Sequence, residues 1–271
     1  MKKQSIFTII CIVACLLSGC GQTTGEGESW SEVSLPKIIA GSDDYPPFNY
    51  IDADGESTGI DVELATEAFA RMGYQAEFSY INWEEKKQLV ESGEIDCIWD
   101  CFTMEGREDQ YQWAGPYMFS YQVVAVRPDS DIYTLQDLAG KTVAVQSTTK
   151  PDEIFSNPEI YGAPKVKELF SLANRELLYT FLSKGYADAI SAHETSIKQY
   201  MKDYNLEYRF LEEPLLTAGL GVAFAKEDDR GLAQQLEQVL QEMKEDGTTA
   251  RIISKYLGES EKYLGVNAYE Q

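Results

Sequence analysis

The segment KTVAVQSTTKPD, residues 141–152, contains the change of pattern that decides the fold. Its first five residues are a short run rich in valine, which is typical of a strand. Ser147, Thr148 and Thr149 follow, and Pro151 stands where a proline favours the first turn of a helix. A strand that leads directly into a helix is the repeating unit of α/β proteins. The same alternation continues in both directions from this segment.

Strand and helix patterns alternate through most of the chain. The predicted strands are 37–41, 74–80, 95–99, 141–145, 166–170, 187–191, 206–210 and 219–225. The predicted helices with both bounds are 60–72, 134–138, 174–183, 195–202 and 250–257. A further helix is capped by Asn82 and ends at Ser92-Gly93, and another begins near Pro151. A long helix carries an apolar stripe from Leu232 to Met243. This order predicts an α/β fold with mostly parallel sheets flanked by helices.

Composition limits the classes of partner. The chain has 271 residues, 44% of them hydrophobic and 12% aromatic, which permits one large domain or two of ordinary size. Its formal net charge is -22. Nucleic-acid binding depends on cationic groups that neutralise phosphates, so the charge argues against such a partner. It also argues against the protein body lying on an anionic membrane.

The N-terminus carries a secretion pattern. Lys2 and Lys3 precede an apolar run, 6–17, which is too short to cross a bilayer and is typical of a signal peptide. The sequence LSGC, residues 17–20, resembles a bacterial lipobox, in which Cys20 is diacylated after removal of residues 1–19. Two acyl chains give stable membrane anchoring, and 20–36 is predicted to be a flexible tether. An ordinary signal with a chance cysteine is the alternative.

The sequence indicates neither a metal site nor a cofactor. Cys97 and Cys101 remain in the body of the protein, and on one extended strand they would lie about 13 Å apart, beyond the reach of a disulfide. We therefore expect two buried free thiols. The chain has one histidine and shows no Cys/His spacing of a metal site.

Several segments in one order resemble a known family. They are GSDDYPPF at 41–48 with GIDV at 59–62, GEIDCIWDCFTMEGRE at 93–108, LAGKTVAVQSTT at 138–149, GVAFAK at 221–226, DGT at 246–248 and KYLG at 255–258. Together they resemble the polar amino-acid substrate-binding proteins of ABC importers, the bacterial extracellular solute-binding family 3. The resemblance implies a monomer that delivers an amino acid to ABC permease subunits, with no cofactor and with only its lipid anchor in the membrane.

The resemblance also implies a two-lobe periplasmic-binding-protein-like fold with two hinge crossings. Lobe 1 would comprise 37–125 and 217–260, lobe 2 would comprise 126–216, and 261–271 would be a C-terminal tail. The crossings are expected near 122–127 and 214–219. Ligands of such sheets lie beyond the carboxyl ends of the strands, which places the site in the cleft between the lobes.

Arg107 matches the family arginine that holds the ligand carboxylate, since a guanidinium can donate two parallel hydrogen bonds to it. A surface arginine paired with Glu105 or Glu108 is the alternative. Ser147, Thr148 and Thr149 precede a helix whose free N–H groups could bind an anion, and a plain helix cap is the alternative.

Aromatic side chains could form the walls of the site. Tyr45 and Trp83 fall where the family sandwiches the ligand side chain, and Phe102 is a further candidate for ligand binding. Phe48 and Trp99 could contribute to the walls or belong to the core.

The chain departs from the family pattern in three places, one of which is the segment from Asp96 to Arg107, which looks one residue shorter than in the best-known members. Asp100 stands where a small residue is usual, and His193 replaces the carboxylate expected to pair with the ligand ammonium. The neighbouring Glu194, or Asp100, could supply that carboxylate, and His193 could instead be a solvent-exposed residue at a helix start. Asp43, Asp44, Asp100 and Glu194 together hint at a cationic or strongly polar ligand side chain.

Three functions are consistent with these residues. The first is a binding protein that delivers a polar amino acid to an ABC permease. The second is a detached ligand-sensing receptor domain. The third is a dehydratase-like enzyme on the same scaffold, with His193 or Glu194 as general base.

Overall fold

The computed structural model describes residues 34–258 and 260–265. The predicted signal peptide, Cys20 and most of the predicted tether lie outside the described residues, as do 259 and 266–271. Within the described ranges, no helix has the length and apolar character needed to span a bilayer.

The elements alternate as the sequence predicts. The strands are β1 Lys37–Ser42, β2 Tyr50–Ile51, β3 Ser57–Thr58, β4 Gln75–Tyr80, β5 Cys97–Thr103, β6 Gln112–Val126, β7 Thr142–Gln146, β8 Glu168–Leu172, β9 Ala189–His193, β10 Arg209–Phe210 and β11 Leu216–Phe224. The helices are α1 Ile60–Arg71, α2 Lys86–Ser92, α3 Lys150–Ser156, α4 Pro158–Tyr161, α5 Glu176–Lys184, α6 Glu194–Asp203, α7 Leu232–Glu245, α8 Thr248–Leu257 and α9 Glu261–Leu264. Two short 3₁₀ helices are Trp83–Glu85 and Leu135–Leu138.

The strands form a large mixed sheet in the order β4-β1-β5-β11-β6-β9-β7-β8, and β10 pairs with β6. The pairs at the two ends of this order are parallel: β1 with β4 and β5, and β7 with β8 and β9. The central pairs, which involve β6 and β11, are antiparallel. The predicted α/β fold with a sheet flanked by helices is confirmed, and the parallel pairing is confined to the two ends of the sheet.

The longest strand, β6, was not predicted. It contains Gly115 and Pro116, and a Gly-Pro pair normally indicates a turn. The strand joins the two ends of the sheet, because Gln122 pairs with Leu216 of β11 on one side and with His193 of β9 on the other. The segments expected to cross between the lobes, 122–127 and 214–219, are therefore hydrogen-bonded neighbours in the sheet through Gln122 and Leu216.

Some boundaries differ from the prediction. β5 reaches Thr103 rather than ending at Trp99, and β8 begins two residues late. A further short helix, α9, follows the helix predicted to be the last, and its Tyr263 packs in the core. Four residues are too few to show a helical period, so the sequence gave no sign of α9.

The core confirms several predictions. The stripe on α7 is buried as predicted. Phe48 and Trp99 are fully buried in a hydrophobic cluster with this stripe, so both belong to the core and not to a ligand wall. Cys97 and Cys101 are free and buried, as expected.

A buried carboxyl group fixes helix α1 beneath the end of β5. Asp61 in the first turn of α1 accepts hydrogen bonds from the Cys101 backbone N–H at 2.6 Å and from the Tyr117 hydroxyl at 2.9 Å. Cys101 has a positive φ of 51°, which is uncommon for a residue other than glycine. Burial raises the pKa of Asp61 to about 7. The pair of hydrogen bonds therefore holds the backbone next to Asp100 in its unusual conformation.

Asp61→Asn is expected to remove a pH dependence of stability. Because the pKa of Asp61 is about 7 in the folded state and 3.8 as its ordinary value, the folded state binds the extra proton. Stability from this group is present below the ordinary pKa and is lost as pH rises through 7. Between about pH 4 and pH 8, the wild-type free energy of unfolding should fall relative to that of the variant by on the order of 3–4 kcal/mol.

Urea unfolding of both proteins across this pH range measures the difference. Subtracting the free energy of unfolding of the variant from that of the wild type at each pH cancels the contributions of the other carboxyl groups, which both proteins share. A difference that stays constant from acid to neutral pH would contradict the raised pKa of Asp61.

Candidate functional site

A small cavity lies beyond the carboxyl ends of β1, β5, β7 and β9, where the fold predicts a ligand site. Its volume is about 30 Å³, room for one or two water molecules, so its walls are in close contact. The polar and aromatic residues that line it are Tyr45, Trp83, Asp100, Phe102, Thr103, Arg107, Gln122, Gln146, Thr148, Thr149, Lys150, Arg175, Ser191 and His193. All the predicted ligand residues except Ser147 and Glu194 are in this lining.

Arg107 is buried, with 8% of its surface exposed. Its guanidinium donates to the carbonyl oxygens of Thr103 at 3.1 Å and Thr148 at 3.4 Å, and lies 3.8 Å from a carboxylate oxygen of Glu153. Burial lowers its pKa from the ordinary value. The alternative of a surface arginine paired with Glu105 or Glu108 is wrong. The Glu105 carboxylate instead accepts from the Gly219 backbone N–H at 2.6 Å.

The loop that precedes α3 uses its N–H groups within the protein. The Thr148 N–H donates to Asp152 at 2.9 Å, and the Thr149 N–H donates to the Gln146 carbonyl at 3.4 Å. Ser147 lies outside the cavity, and its hydroxyl donates to Glu84 at 2.8 Å. Thr148 and Thr149 line the cavity, but their backbone N–H groups are hydrogen-bonded within the protein, whereas free N–H groups were expected.

The aromatic walls have two parts. Trp83 meets Phe102 edge-on, with ring centroids 5.6 Å apart. Tyr45 lies across the cavity and its hydroxyl accepts from the His193 backbone N–H at 3.2 Å. Both Tyr45 and Trp83 therefore reach the cavity, as the family pattern implies.

Asp100 is almost fully buried, with 1% of its surface exposed. One of its carboxyl oxygens accepts from the Asp43 backbone N–H at 3.1 Å, and the other has no hydrogen-bond partner among the described residues. Burial, assisted by the charges of Asp43 and Asp61, raises its pKa well above the usual range, although Arg175 opposes the shift. The unpaired oxygen can accept a hydrogen bond from a ligand ammonium group.

His193 is buried rather than solvent-exposed. One ring nitrogen lies 2.9 Å from the Ser120 hydroxyl and the other lies 2.8 Å from the Gln122 side-chain amide. Burial, with the nearby Arg175 charge, lowers its pKa to about 3. The ring is therefore neutral at physiological pH and cannot replace the negative charge that the family pattern expects there.

Glu194 lies outside the cavity lining. Its carboxylate pairs with Lys198 at 2.6 Å and with Lys262 at 3.2 Å. Asp44 is exposed and also lies outside this lining. The carboxyl group that lines the cavity is therefore that of Asp100, and the hint of a strongly acidic cleft does not hold.

Sequence reasoning missed Arg175. It directly precedes α5, and its guanidinium carbon lies 3.1 Å from the centroid of the Tyr45 ring. A positive charge at the start of a helix is unfavourable to the helix dipole, and this was the one signal in the sequence that could have drawn attention to it. Gln122, Gln146 and Lys150 were also missed.

Among the described residues, no group of three or more His, Cys, Asp or Glu side chains could hold a metal ion. The lining combines an arginine, a buried carboxyl group and aromatic side chains.

The family model of the bacterial extracellular solute-binding proteins, family 3, matches residues 38–259. The chain belongs to this family. Family 3 membership agrees with the mixed sheet and with a cavity at the carboxyl ends of its strands.

Family 3 relatives match along nearly their whole length. The L-cystine-binding protein TcyA of Bacillus subtilis (strain 168) is 27% identical over 275 residues, which cover 96% of this chain and 98% of that protein. The histidine-binding periplasmic protein of Salmonella typhimurium is 31% identical over 231 residues, covering 81% and 87%.

A solved structure shows the same fold. The crystal structure of an ABC uptake transporter substrate-binding protein from Streptococcus pneumoniae with bound histidine has a TM-score of 0.75 and 25% identity to this chain. The match covers 83% of this chain and 93% of that one. The chain is thus an amino-acid-binding type of solute-binding protein in family and fold.

Proposed function

We propose that this protein is an extracytoplasmic, lipid-anchored solute-binding protein that captures a polar amino acid and delivers it to an ABC permease. The observation that carries the proposal is the pairing of Arg107 with Asp100 in one cavity. A free amino acid carries a carboxylate and an ammonium group. A buried guanidinium and a buried carboxyl oxygen without a partner in the same cavity lining are groups of the matching kinds.

The cavity offers a residue for the carboxylate, the ammonium group and the side chain of the ligand. The Arg107 guanidinium at present donates to backbone carbonyls, and a ligand carboxylate would add an opposite charge and could accept two parallel bonds. Asp100 would accept from the ammonium group. Tyr45, Trp83 and Phe102 would surround the side chain. The names of the cystine- and histidine-binding relatives support an amino acid as ligand.

Opening of the cleft would admit the ligand. We propose the lobes as 37–125 with 217–260 and 126–216, with 261–271 as a tail. Polar contacts close the cleft in this structure: the Lys86 ammonium donates to the Thr148 hydroxyl at 2.7 Å, and the Gln146 amide donates to Asp43 at 2.7 Å. Such bonds exchange readily with water, so hinge motion about the central strands can separate the lobes.

Neither residue considered as a general base, His193 or Glu194, is suited to accept a proton from a ligand in the cavity, which favours binding without catalysis. Both His193 ring nitrogens have partners and the pKa of the ring is low, so it is a poor proton acceptor at neutral pH. Glu194 lies outside the cavity and is paired with two lysines. The TcyA protein and the histidine-binding periplasmic protein are both named as binding proteins.

A thermal-shift screen of the purified mature protein tests the ligand class. The twenty amino acids, cystine and ornithine would be added singly, because a ligand that binds only the folded state stabilises it and raises the melting temperature, by more as its concentration exceeds its Kd. We expect a rise with at least one amino acid, while its analogue without the carboxylate should give none. No shift with any of them would refute the proposed ligand class.

Cys20→Ser is expected to abolish lipid anchoring, because serine has no thiol to carry the diacyl group. The variant should lose metabolic labelling with palmitate and should be released or keep its uncut signal. Cys97→Ser is the matched control, since this buried thiol lies in the protein body and should not affect labelling. Equal labelling and equal membrane fractions of Cys20→Ser and wild type would contradict the lipobox.

A further inference from the structure

Arg175 is a second cation in the cavity, and the proposed function leaves it without a role. It is 8% exposed, directly precedes α5 and lines the cavity together with Tyr45. Its guanidinium carbon stands 3.1 Å from the Tyr45 centroid, so one face of the guanidinium is fixed by stacking. In this closed arrangement the stacking sets the orientation of its nitrogens.

The hydrogen bonds of Arg175 are incomplete inside the protein, although nearby groups, Asp43 and Asp100 among them, favour its charged form. Its nearest paired carboxylate is Asp43, at 3.7 Å from one terminal nitrogen, and the other terminal nitrogen has no hydrogen-bond partner among the described residues. Asp43 already accepts from the Gln146 amide at 2.7 Å through the same oxygen. A buried guanidinium with a free donor is costly unless an acceptor from outside completes it.

The rest of the cavity does not supply that acceptor. Its other cations are Arg107 and Lys150, and Glu153 lies 3.8 Å from the first and 3.0 Å from the second. Asp100 is the carboxyl group of the lining, and burial favours its neutral form. The lining therefore carries an excess of positive charge, although the protein as a whole is strongly acidic.

We propose that Arg175 selects the ligand by binding a second acidic group, so that the ligand is a dicarboxylic amino acid or a close acidic analogue. This inference rests on the proposed amino-acid function, with Arg107 on the α-carboxylate. The stacked guanidinium of Arg175 receives the side-chain carboxylate through two donors. A ligand with a cationic side chain would place a second positive charge beside Arg175 and should bind more weakly.

Calorimetric titration with matched amino acids tests the selection. L-glutamate and L-aspartate would be compared with L-glutamine and L-asparagine, which have nearly the same shape without the charge, and with L-arginine and L-lysine. We expect an acid to bind more than about tenfold more tightly than its amide, and the cationic amino acids to bind more weakly still. Preference for an amide or for a cationic amino acid overturns the inference while leaving the proposed function in place.

Arg175→Gln then assigns the selection to this residue. It should weaken binding of the preferred acid by more than about thirtyfold and change binding of its amide by less than about threefold. Arg209→Gln is the matched control, because its guanidinium also lies over a tyrosine ring, Tyr133, at 4.3 Å, but outside the cavity. It should leave both affinities unchanged.

Tighter binding of any ligand by Arg175→Gln would show that Arg175 blocks the site. An unchanged ratio of the affinities for the acid and its amide would show that Arg175 does not distinguish the ligand side chains. Either result overturns the inference. If the variant does not fold, the preference of the wild-type protein for acid over amide still decides it. Binding of no amino acid at all refutes the proposed function and, with it, this inference.

Discussion

Arg107→Ala is expected to weaken amino-acid binding by about 30-fold to several thousand-fold, which corresponds to about 2–5 kcal/mol for a buried charged pair. The guanidinium is buried, and its present partners are two backbone carbonyls and a carboxylate 3.8 Å away. Its removal would leave a desolvated ligand carboxylate without a charged partner. Titration calorimetry with the amino acid found in the screen measures the loss.

Two further arginine variants make the result specific. Arg107→Lys should also bind poorly, because one ammonium group cannot donate two parallel bonds to a carboxylate. Arg127→Ala is the control, since Arg127 also donates to backbone carbonyls, those of Leu182 and Ala187, but away from the cavity. Binding by Arg107→Ala within about threefold of wild type would refute the role given to this residue.

Asp100→Asn is the second variant with a large expected effect, a loss of more than tenfold in affinity at neutral pH. The change keeps the shape of the side chain and removes the charge that would face the ligand ammonium. Glu194→Gln is the matched control, because the Glu194 carboxylate pairs with Lys198 and Lys262 outside the cavity. His193→Gln should cost less than Asp100→Asn, because the neutral ring holds no charge to lose.

The raised pKa of Asp100 gives this prediction a second readout. Burial in the free protein shifts Asp100 towards the protonated form, whereas a bound ammonium group shifts it towards the carboxylate, so binding should be accompanied by proton release. Affinity should then increase as pH rises, up to the pKa of the free protein. Calorimetry in two buffers with different ionisation enthalpies measures the release, and Asp100→Asn should abolish it.

Equal loss in Asp100→Asn and Glu194→Gln would contradict the placement of the ammonium site. A titration of affinity near pH 6.5 that disappears in His193→Gln would show instead that the histidine contacts the ligand. The ligand would then be an acid without an ammonium group, and the amino-acid class would have to be given up.

Local sequence determined the alternation of strands and helices, because strands and helices bury their apolar residues with different periods. The strand-to-helix change at 141–152, the capped turn at Asn82 and the stripe on α7 are all local patterns, and all are present in the structure. The motif around Arg107 also placed one end of the site. These features depend on residues within a few positions of each other.

Tertiary structure alone decided the direction and the charge state of the site residues. His193 ends a strand and faces the cavity, whereas the next residue, Glu194, begins a helix and faces two lysines, one of them 68 positions away. Strand β6 continues through its Gly-Pro pair because β11 pairs with the residues before and after it, with a shift of register between them. Arg175 reaches the cavity because α5 packs against the sheet next to Tyr45, 130 residues earlier in the chain. Burial and long-range pairing set these positions and pKa values, and neither is written in a local pattern of the sequence.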